Sequence, residues 1–566
     1  MAQPTTVGSD SHLDVAPFAS FRPLAWRGDR RGFLGLTGAA AVGTALLSTS
    51  CFGGDSDGPT QTATATPTEQ PIRRGGTLRM GQGADLNLAA GHPFAIVPQN
   101  RLLLYAAHET LVEYRTGLTP QPVLAERFEV SSDFRRVSVM LKPDLEFHNG
   151  APVTADDVLF SVRTAQDPAS AGLPPAATIE LGAFARLITD INVVDARTIE
   201  FTFDQPRPNL SDFFTQLQIA HRATYGEVAQ GKVAGTGPFQ LASWDRGRGY
   251  RLERFPNWHN AGADGRPYLD AIDVSLFADQ TTATIAFRGG NLDAYLAMSA
   301  ANAAPLRNDG KTRDAGKSGM YYLGMKVSNP QLRDARVRQA IFYAVDRERM
   351  VRDANQGFGT VTTQPWAPSS PAFDPARDAP FYEPQRSRDL LAQAGWSQSD
   401  PLTIEYASGV TAQELQAQLL QADLKAVGVE TRLEAVEGVR YGQRLRAGEV
   451  PDFWIAAHGT GDLTPLTLFQ QTFEFRIAAN LSAFEDSQYV AFVRRLETLA
   501  PDSGEARDVY AQLNRLMVEN PFVIPTGVPQ ARIDLVQDGV AGWPAGPADY
   551  AIAPIGKVDL SRVWLQ

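Results

Sequence analysis

The chain has 566 residues and a single cysteine, Cys51. One thiol can form neither an intramolecular disulfide nor a zinc site of several thiolates, so the fold must rest on apolar burial. From about position 75 onward the chain is longer than one hydrophobic core usually serves, and two or more lobes are expected. Its 52 basic residues stand against 63 acidic ones, a net charge of −11. Nucleic-acid binders need a basic surface, so that class is set aside. No segment beyond the N-terminal region reaches about 18 apolar residues in a row, so no later membrane span is expected.

Arg30 and Arg31 precede Gly32-Phe33-Leu34, and a diluted apolar run continues to Leu47. From Phe33 that run is about 15 residues, short of the ~20 needed to cross a bilayer. Positive charge before a short apolar stretch is the pattern of a secretory signal. Arg30-Arg31-Gly32-Phe33-Leu34 resembles the twin-arginine export signal, an address read by a receptor. Leu46-Leu47-Ser48-Thr49-Ser50-Cys51 resembles a lipoprotein box, with Ser48 where an aliphatic residue usually stands. The expected organisation is a leader over 1–51, cleaved before Cys51, whose thiol takes lipid. Cleavage elsewhere would leave Cys51 an incidental thiol. Residues 52–74 are rich in Ser, Thr, Pro, Gly and Gln and read as a flexible linker, unable to offset its ordering entropy by burial. The folded part is expected outside the cytoplasm, in the periplasmic space or at the cell surface, tethered by lipid to the outer face of the cell membrane.

Residues 73–81 alternate as a first strand. The pattern over 102–112 predicts a helix. Segments 124–130 and 136–141 flank a polar turn, and the second alternates as a strand. Asn149-Gly150 signals a turn. Thr154 reads as an N-cap, with Asp156-Asp157 in the first turn of a helix that continues through Val158-Leu159-Phe160. Arg336 and Arg338 read as ion-paired or packing groups, and Gly150, Gly237 and Gly290 as turn or close-approach positions.

The string Phe147-His148-Asn149-Gly150-Ala151-Pro152-Val153-Thr154-Ala155-Asp156-Asp157-Val158-Leu159-Phe160 resembles the signature of family-5 extracellular solute-binding proteins, the oligopeptide- and dipeptide-binding components of ABC importers. Further segments resemble the family's in the same order: Gly235-Thr236-Gly237-Pro238-Phe239 with Trp244, Leu252-Glu253-Arg254-Phe255-Pro256-Asn257-Trp258, Pro267-Tyr268-Leu269-Asp270, Gly289-Gly290-Asn291-Leu292-Asp293, Asp334-Ala335-Arg336-Val337-Arg338-Gln339-Ala340 and Leu390-Leu391-Ala392-Gln393-Ala394-Gly395-Trp396. Together they span nearly all of 75–566.

The resemblance implies an α/β, two-lobed periplasmic-binding-protein fold of class II, the large peptide-binding type, with an extra subdomain near 112–232. Lobe I would be 75–318 plus 525–566 and lobe II 319–524, joined by strands near 321–325 and 521–525 and closing on a ligand by hinge motion. In peptide-binding members an aspartate in a lobe II turn holds the peptide's ammonium group. Asp462 matches it if one loop residue is deleted, and a carboxylate in a desolvated cleft suits an ammonium. The alternative is a loop-capping aspartate. Thr460 falls where the family has a tryptophan, and Gly438 where it has another aromatic, which implies a roomier pocket. Tyr295, Leu296, Ala297 and Met298 correspond to the lobe I segment that offers backbone groups to peptides. His92 and His458 are candidate polar groups of the cleft. The remaining histidines lack ligand spacing, so neither a metal site nor a cofactor is expected.

The implied role is a monomeric receptor that captures peptides and hands them to ABC permease and ATPase subunits, with oligosaccharide, opine-like conjugate or nickel chelate as alternative cargo. Residues 75–566 contain no Gly-x-Ser-x-Gly elbow, no His-Glu-x-x-His and no phosphate loop, so an enzyme is not expected. Carboxylates are numerous enough that a secreted glycoside hydrolase is not excluded by composition. A purely structural envelope lipoprotein is the third class, and saturable binding of a small ligand would separate it from the first.

Overall fold

The computed structural model describes residues 71–95, 97–115, 117–262, 264–314, 320–379, 381–459, 463–527, 532–546 and 557–566. Arg30, Arg31 and Cys51 lie outside the described residues.

β1 (Thr77–Gln82) is followed by a short ribbon, β2 (Val112–Glu113) and β3 (Gln121–Pro122). Next come β4 (Ala125–Val130), β5 (Arg136–Leu141), β6 (Ile188–Val193) and β7 (Thr198–Phe203). The chain continues through β8 (Phe239–Asp245), β9 (Gly249–Arg254), β10 (Ala271–Leu276), β11 (Ala294–Met298) and β12 (Thr312–Asp314). Then follow β13 (Met320–Met325), β14 (Leu402–Ser408), β15 (Thr431–Glu437), β16 (Phe453–His458) and β17 (Val523–Gly527). The last strands are β18 (Ile533–Val536), β19 (Val540–Ala541) and β20 (Trp564–Leu565).

A seven-stranded sheet runs β12-β18-β11-β1-β10-β9-β8, and a five-stranded one runs β15-β14-β16-β13-β17. A four-stranded antiparallel sheet, β4-β5-β7-β6, stands apart from both. The five-stranded sheet is apolar on both faces. Along β13 and β16, Tyr322, Trp454 and Ala456 enter one core, while Leu323, Phe453 and Ile455 enter the other. A strand sends alternate side chains to opposite faces, so helices must cover both, as in α/β sheets with parallel strands. The helix Thr411–Ala426 supplies the crossover between the parallel strands β14 and β15.

Thr154 and Asp157 form a capping box at the start of the helix Ala155–Gln166. The Thr154 N–H donates to Asp157 Oδ2 at 3.0 Å, and Asp157 Oδ1 accepts from the Arg222 N–H at 3.1 Å. Asp157 thereby fixes both its own helix start and the start of the distant 3-10 helix Arg222–Gln230. Arg336 pairs with Asp334, while Arg338 is buried and donates to the carbonyls of Pro521, Leu332 and Arg333. Burial pushes the Arg338 guanidinium down to about 10.

The helix expected over 102–112 is shorter, Arg101–Ala107, and Val112 is in a strand. The reason lies about 130 residues away. The Gly237 N–H donates to the Ala107 carbonyl at 3.0 Å, so that carbonyl is taken from the next helical turn. A Cβ on Gly237 would stand 2.4 Å from the Ala106 oxygen, so only glycine allows this approach.

Candidate ligand cleft between the two sheets

In the large sheet β1, β10 and β11 are parallel, and β12 shares their direction through the antiparallel strand β18. Met298 and Asp314 both stand opposite Ile533, so the carboxyl ends of β11 and β12 are level with the start of β18. In the five-stranded sheet β14, β15 and β16 are parallel and end at Ser408, Glu437 and His458. His458 stands opposite Met320, the first residue of β13, and Tyr321 opposite Gly527, the last of β17. The chain passes between the sheets after Asp314 and again after Gly527. Both sheets therefore turn the carboxyl ends of their parallel strands toward these crossings, and in open α/β sheets ligands settle outside such ends.

The two bodies touch at separate places. At one, the Asn209 side-chain amide donates to Thr467 Oγ1 at 2.8 Å and Gln470 Oε1 at 2.7 Å. Beside it, Tyr114 packs on Leu463, and the Tyr114 hydroxyl donates to Asp212 Oδ1 at 2.6 Å. At another, Arg307 donates to the Gly357 carbonyl at 2.8 Å and lies 4.0 Å over the Phe358 ring. Thr467 and Gln470 belong to the helix Pro465–Gln471, which begins just beyond the loop after His458.

The structure places the expected residues unevenly. Tyr295 and Met298 are buried in an apolar cluster with Phe287, Leu292 and Ile533, so neither side chain is offered to a ligand. Leu296 packs against the main core of the same body. Ala297 is exposed and has φ 60°, in the left-handed region. The β1 register ends at Gly81–Tyr295, and the β18 register shifts between Tyr295 and Met298. Leu296 and Ala297 thus form a bulge outside both registers, at the crossing edge.

His458 lies at the same kind of edge on the other sheet, its ring 5.8 Å from Tyr322 and 5.6 Å from Phe475. Burial pushes its pKa down to about 3. His92 is buried with its ring 4.8 Å from His108. Neither ring nitrogen of His92 has a hydrogen-bond partner among the described residues, and burial again pushes the pKa to about 3. Both imidazoles are therefore neutral at pH 7. Thr460 and Asp462 lie outside the described residues, between His458 and Leu463. A Cβ on Gly438, just past the end of β15, would meet no atom within 4 Å.

Sequence reasoning missed Asn209, Tyr114, Thr467 and Gln470. The available signal was Asn209 itself, a polar residue opening the run Leu210-Ser211-Asp212-Phe213-Phe214. Among the described residues no cluster of three or more His, Cys, Asp or Glu could hold a metal, and no helix is long and apolar enough to cross a membrane.

Two α/β bodies joined by paired crossings, with strand ends facing the joint, define a two-lobed class II binding-protein fold. Residues 119–477 match the family described as bacterial extracellular solute-binding proteins, family 5 middle, and the chain belongs to that family. Its members are the substrate-binding components of ABC importers. Among relatives, the chain is 25% identical over 448 residues to heme-binding protein A of Haemophilus influenzae, covering 73% of this chain and 80% of the relative. It is 24% identical over 476 residues to di/tripeptide-binding protein 2 of Pseudomonas aeruginosa, covering 78% and 86%. The solved structure of DppA from Helicobacter pylori in complex with the peptide STSA superimposes with a TM-score of 0.68 at 21% identity, covering 87% of this chain and 98% of that one.

Proposed function

We propose that this protein captures peptides between its lobes and closes on them as a lipid-anchored, monomeric receptor for an ABC permease. Lobe I would be 75–318 plus 528–566 and lobe II 319–527, with the four-stranded sheet as a subdomain of lobe I; the boundary expected at 525 moves because β17 pairs with β13 as far as Gly527. The observation that carries the reading is the bulge at Leu296–Ala297. It offers main chain rather than side chain at the crossing edge, and main-chain hydrogen bonds suit a ligand whose side chains vary. The peptide names of several relatives support the same cargo. Asp462 would hold the ligand's ammonium group, His458 and Thr460 would line the wall beside it, and His92 would lie behind the lobe I face. The anchor would be Cys51, after export through Arg30-Arg31.

The open space at Gly438 and the heme-binding relative favour one second reading, a bulkier non-peptide cargo in the same cleft. A thermal-shift series on protein stripped of ligand by unfolding and refolding separates the two. At 100 times its dissociation constant, a ligand should stabilise the folded state by about 2.7 kcal/mol. Shifts with di- to octapeptides support the peptide reading. Shifts only with haem, oligosaccharide, opine or nickel chelate keep the receptor role and replace the cargo. Asp462→Ala should weaken peptide binding by about 2 kcal/mol, and unchanged affinity in calorimetry removes Asp462 from the site.

A further inference from the structure

The bulge at Ala297 has a buried support. The Ala297 N–H donates to Asp534 Oδ1 at 3.3 Å. Asp534 is in turn gripped by Arg532, whose Nε donates to Oδ1 at 2.7 Å and Nη2 to Oδ2 at 2.9 Å. Both side chains are essentially inaccessible, at 2% for Arg532 and 0% for Asp534. They lie two residues apart along the chain at the start of β18. There Ile533 and Leu535 enter one apolar cluster, and Val536 another.

A buried ion pair is weak support for stability, since apolar residues of similar volume often do as well or better. Retaining one calls for something that the charges place. Here it is the backbone of an alanine held at φ 60°, a conformation open to Gly but rarely adopted by L residues other than Asn and Asp. Strained positions persist only where the surroundings over-determine them, and they gather at functional sites. Without an acceptor at Asp534, the Ala297 N–H would have no register partner on β1 or β18. An extended Ala297 would let β11 continue its registers, and the main chain at Leu296–Ala297 would no longer stand clear of the sheet at the crossing edge.

We propose that Asp534, fixed by Arg532, is a positioning residue for ligand capture: it sets the left-handed bulge at Ala297 and so presents the main chain of Leu296–Ala297 to the ligand. This rests on the reading that the crossing edge of lobe I binds cargo. Asp534 touches no ligand on this view, and it acts on the ligand through Ala297.

The test has two readouts on the full chain. The first is amide hydrogen exchange resolved to single residues. The Ala297 amide should be protected at least about ten-fold over an unstructured peptide, despite its place outside the registers. That protection should vanish in R532M/D534L, a replacement chosen because apolar substitution of a buried pair is often tolerated, while Leu535 stays protected. An unprotected Ala297 amide in the unsubstituted protein overturns the proposal without any variant, as does full protection in a folded R532M/D534L.

The second readout is binding of a di- to octapeptide pool by calorimetry. R532M/D534L, and separately A297V, which cannot keep φ 60° without strain, should each lose about ten-fold or more in affinity. Full affinity in folded variants would overturn the capture role. If the unsubstituted protein binds no peptide in the pool, the peptide reading fails. The proposal is then decided by the exchange result together with whichever haem, sugar or chelate probe does bind.

Discussion

Asn209→Ala isolates the energy that holds the lobes together apart from the ligand. The Asn209 amide is buried and donates to two acceptors on the facing lobe, Thr467 Oγ1 and Gln470 Oε1, contacts that the proposed closure would need. Neutral hydrogen bonds of this kind contribute about 1 kcal/mol each net, so removing the amide costs closure about 2 kcal/mol. Thr467 is fully buried, so the hydroxyl left behind adds to the penalty rather than relieving it. A loss of 2 kcal/mol lowers the closed-to-open ratio about 30-fold. Ligand affinity falls by the fraction of closed state lost, because only that state holds the cargo on both sides. Small-angle scattering should show a larger radius of gyration for the variant, and stopped-flow should show faster ligand release. Melting of each lobe should change little, since neither core includes Asn209. An unchanged radius of gyration together with unchanged release, in a variant that melts normally, would refute the latch.

Three further perturbations have expected outcomes. His92 has a folded pKa of about 3 against an unfolded value near 6.5, so the stability from its neutral form is complete above pH 6.5 and is lost as pH falls toward 3. His92→Leu should therefore shrink the difference in unfolding free energy between pH 7 and pH 5 by about 2 kcal/mol, read from urea titrations at both pH values. Gly324→Ala places a Cβ about 2.2 Å from the Trp454 ring in the centre of the five-stranded sheet. Overpacking there should cost about 1–3 kcal/mol in the same titration, and a neutral result would mean that Trp454 can move aside. Gly438→Trp meets open space, so stability should hold within about 0.5 kcal/mol while affinity for the bulkiest bound ligand falls; equal affinity would put Gly438 outside the pocket.

Local patterns were legible in the sequence wherever the cause was local. Thr154 and Asp157 announced a helix start, and the alternation over 136–141 announced β5. The strands that flank the crossings were legible only through the family resemblance, since nothing in the apolar run at β13 distinguishes a lobe-joining strand from any other buried one. Causes acting at a distance were not legible. Ala107 ends its helix because Gly237 claims its carbonyl. Ile533-Asp534-Leu535 alternates as a half-exposed strand would, so the pattern sends Asp534 to solvent, yet the fold covers that face and supplies Arg532 as counter-ion. Asn209 lies in the chain like a loop residue, and its partners are about 260 positions away.

The strands that lead into and out of the crossings are paired with each other. β12 pairs with β18 on one side of the joint, and β13 with β17 on the other, both antiparallel. Mechanically this is a two-ply leaf spring. A hydrogen-bonded ribbon bends easily out of its plane, but it resists sliding of one ply past the other, because sliding breaks the ladder. If the lobes hinge as proposed, paired strands on both sides of the joint would confine opening to a single angular coordinate, so that Asn209 would meet Thr467, and Tyr114 Leu463, again at each closure without a search for alignment.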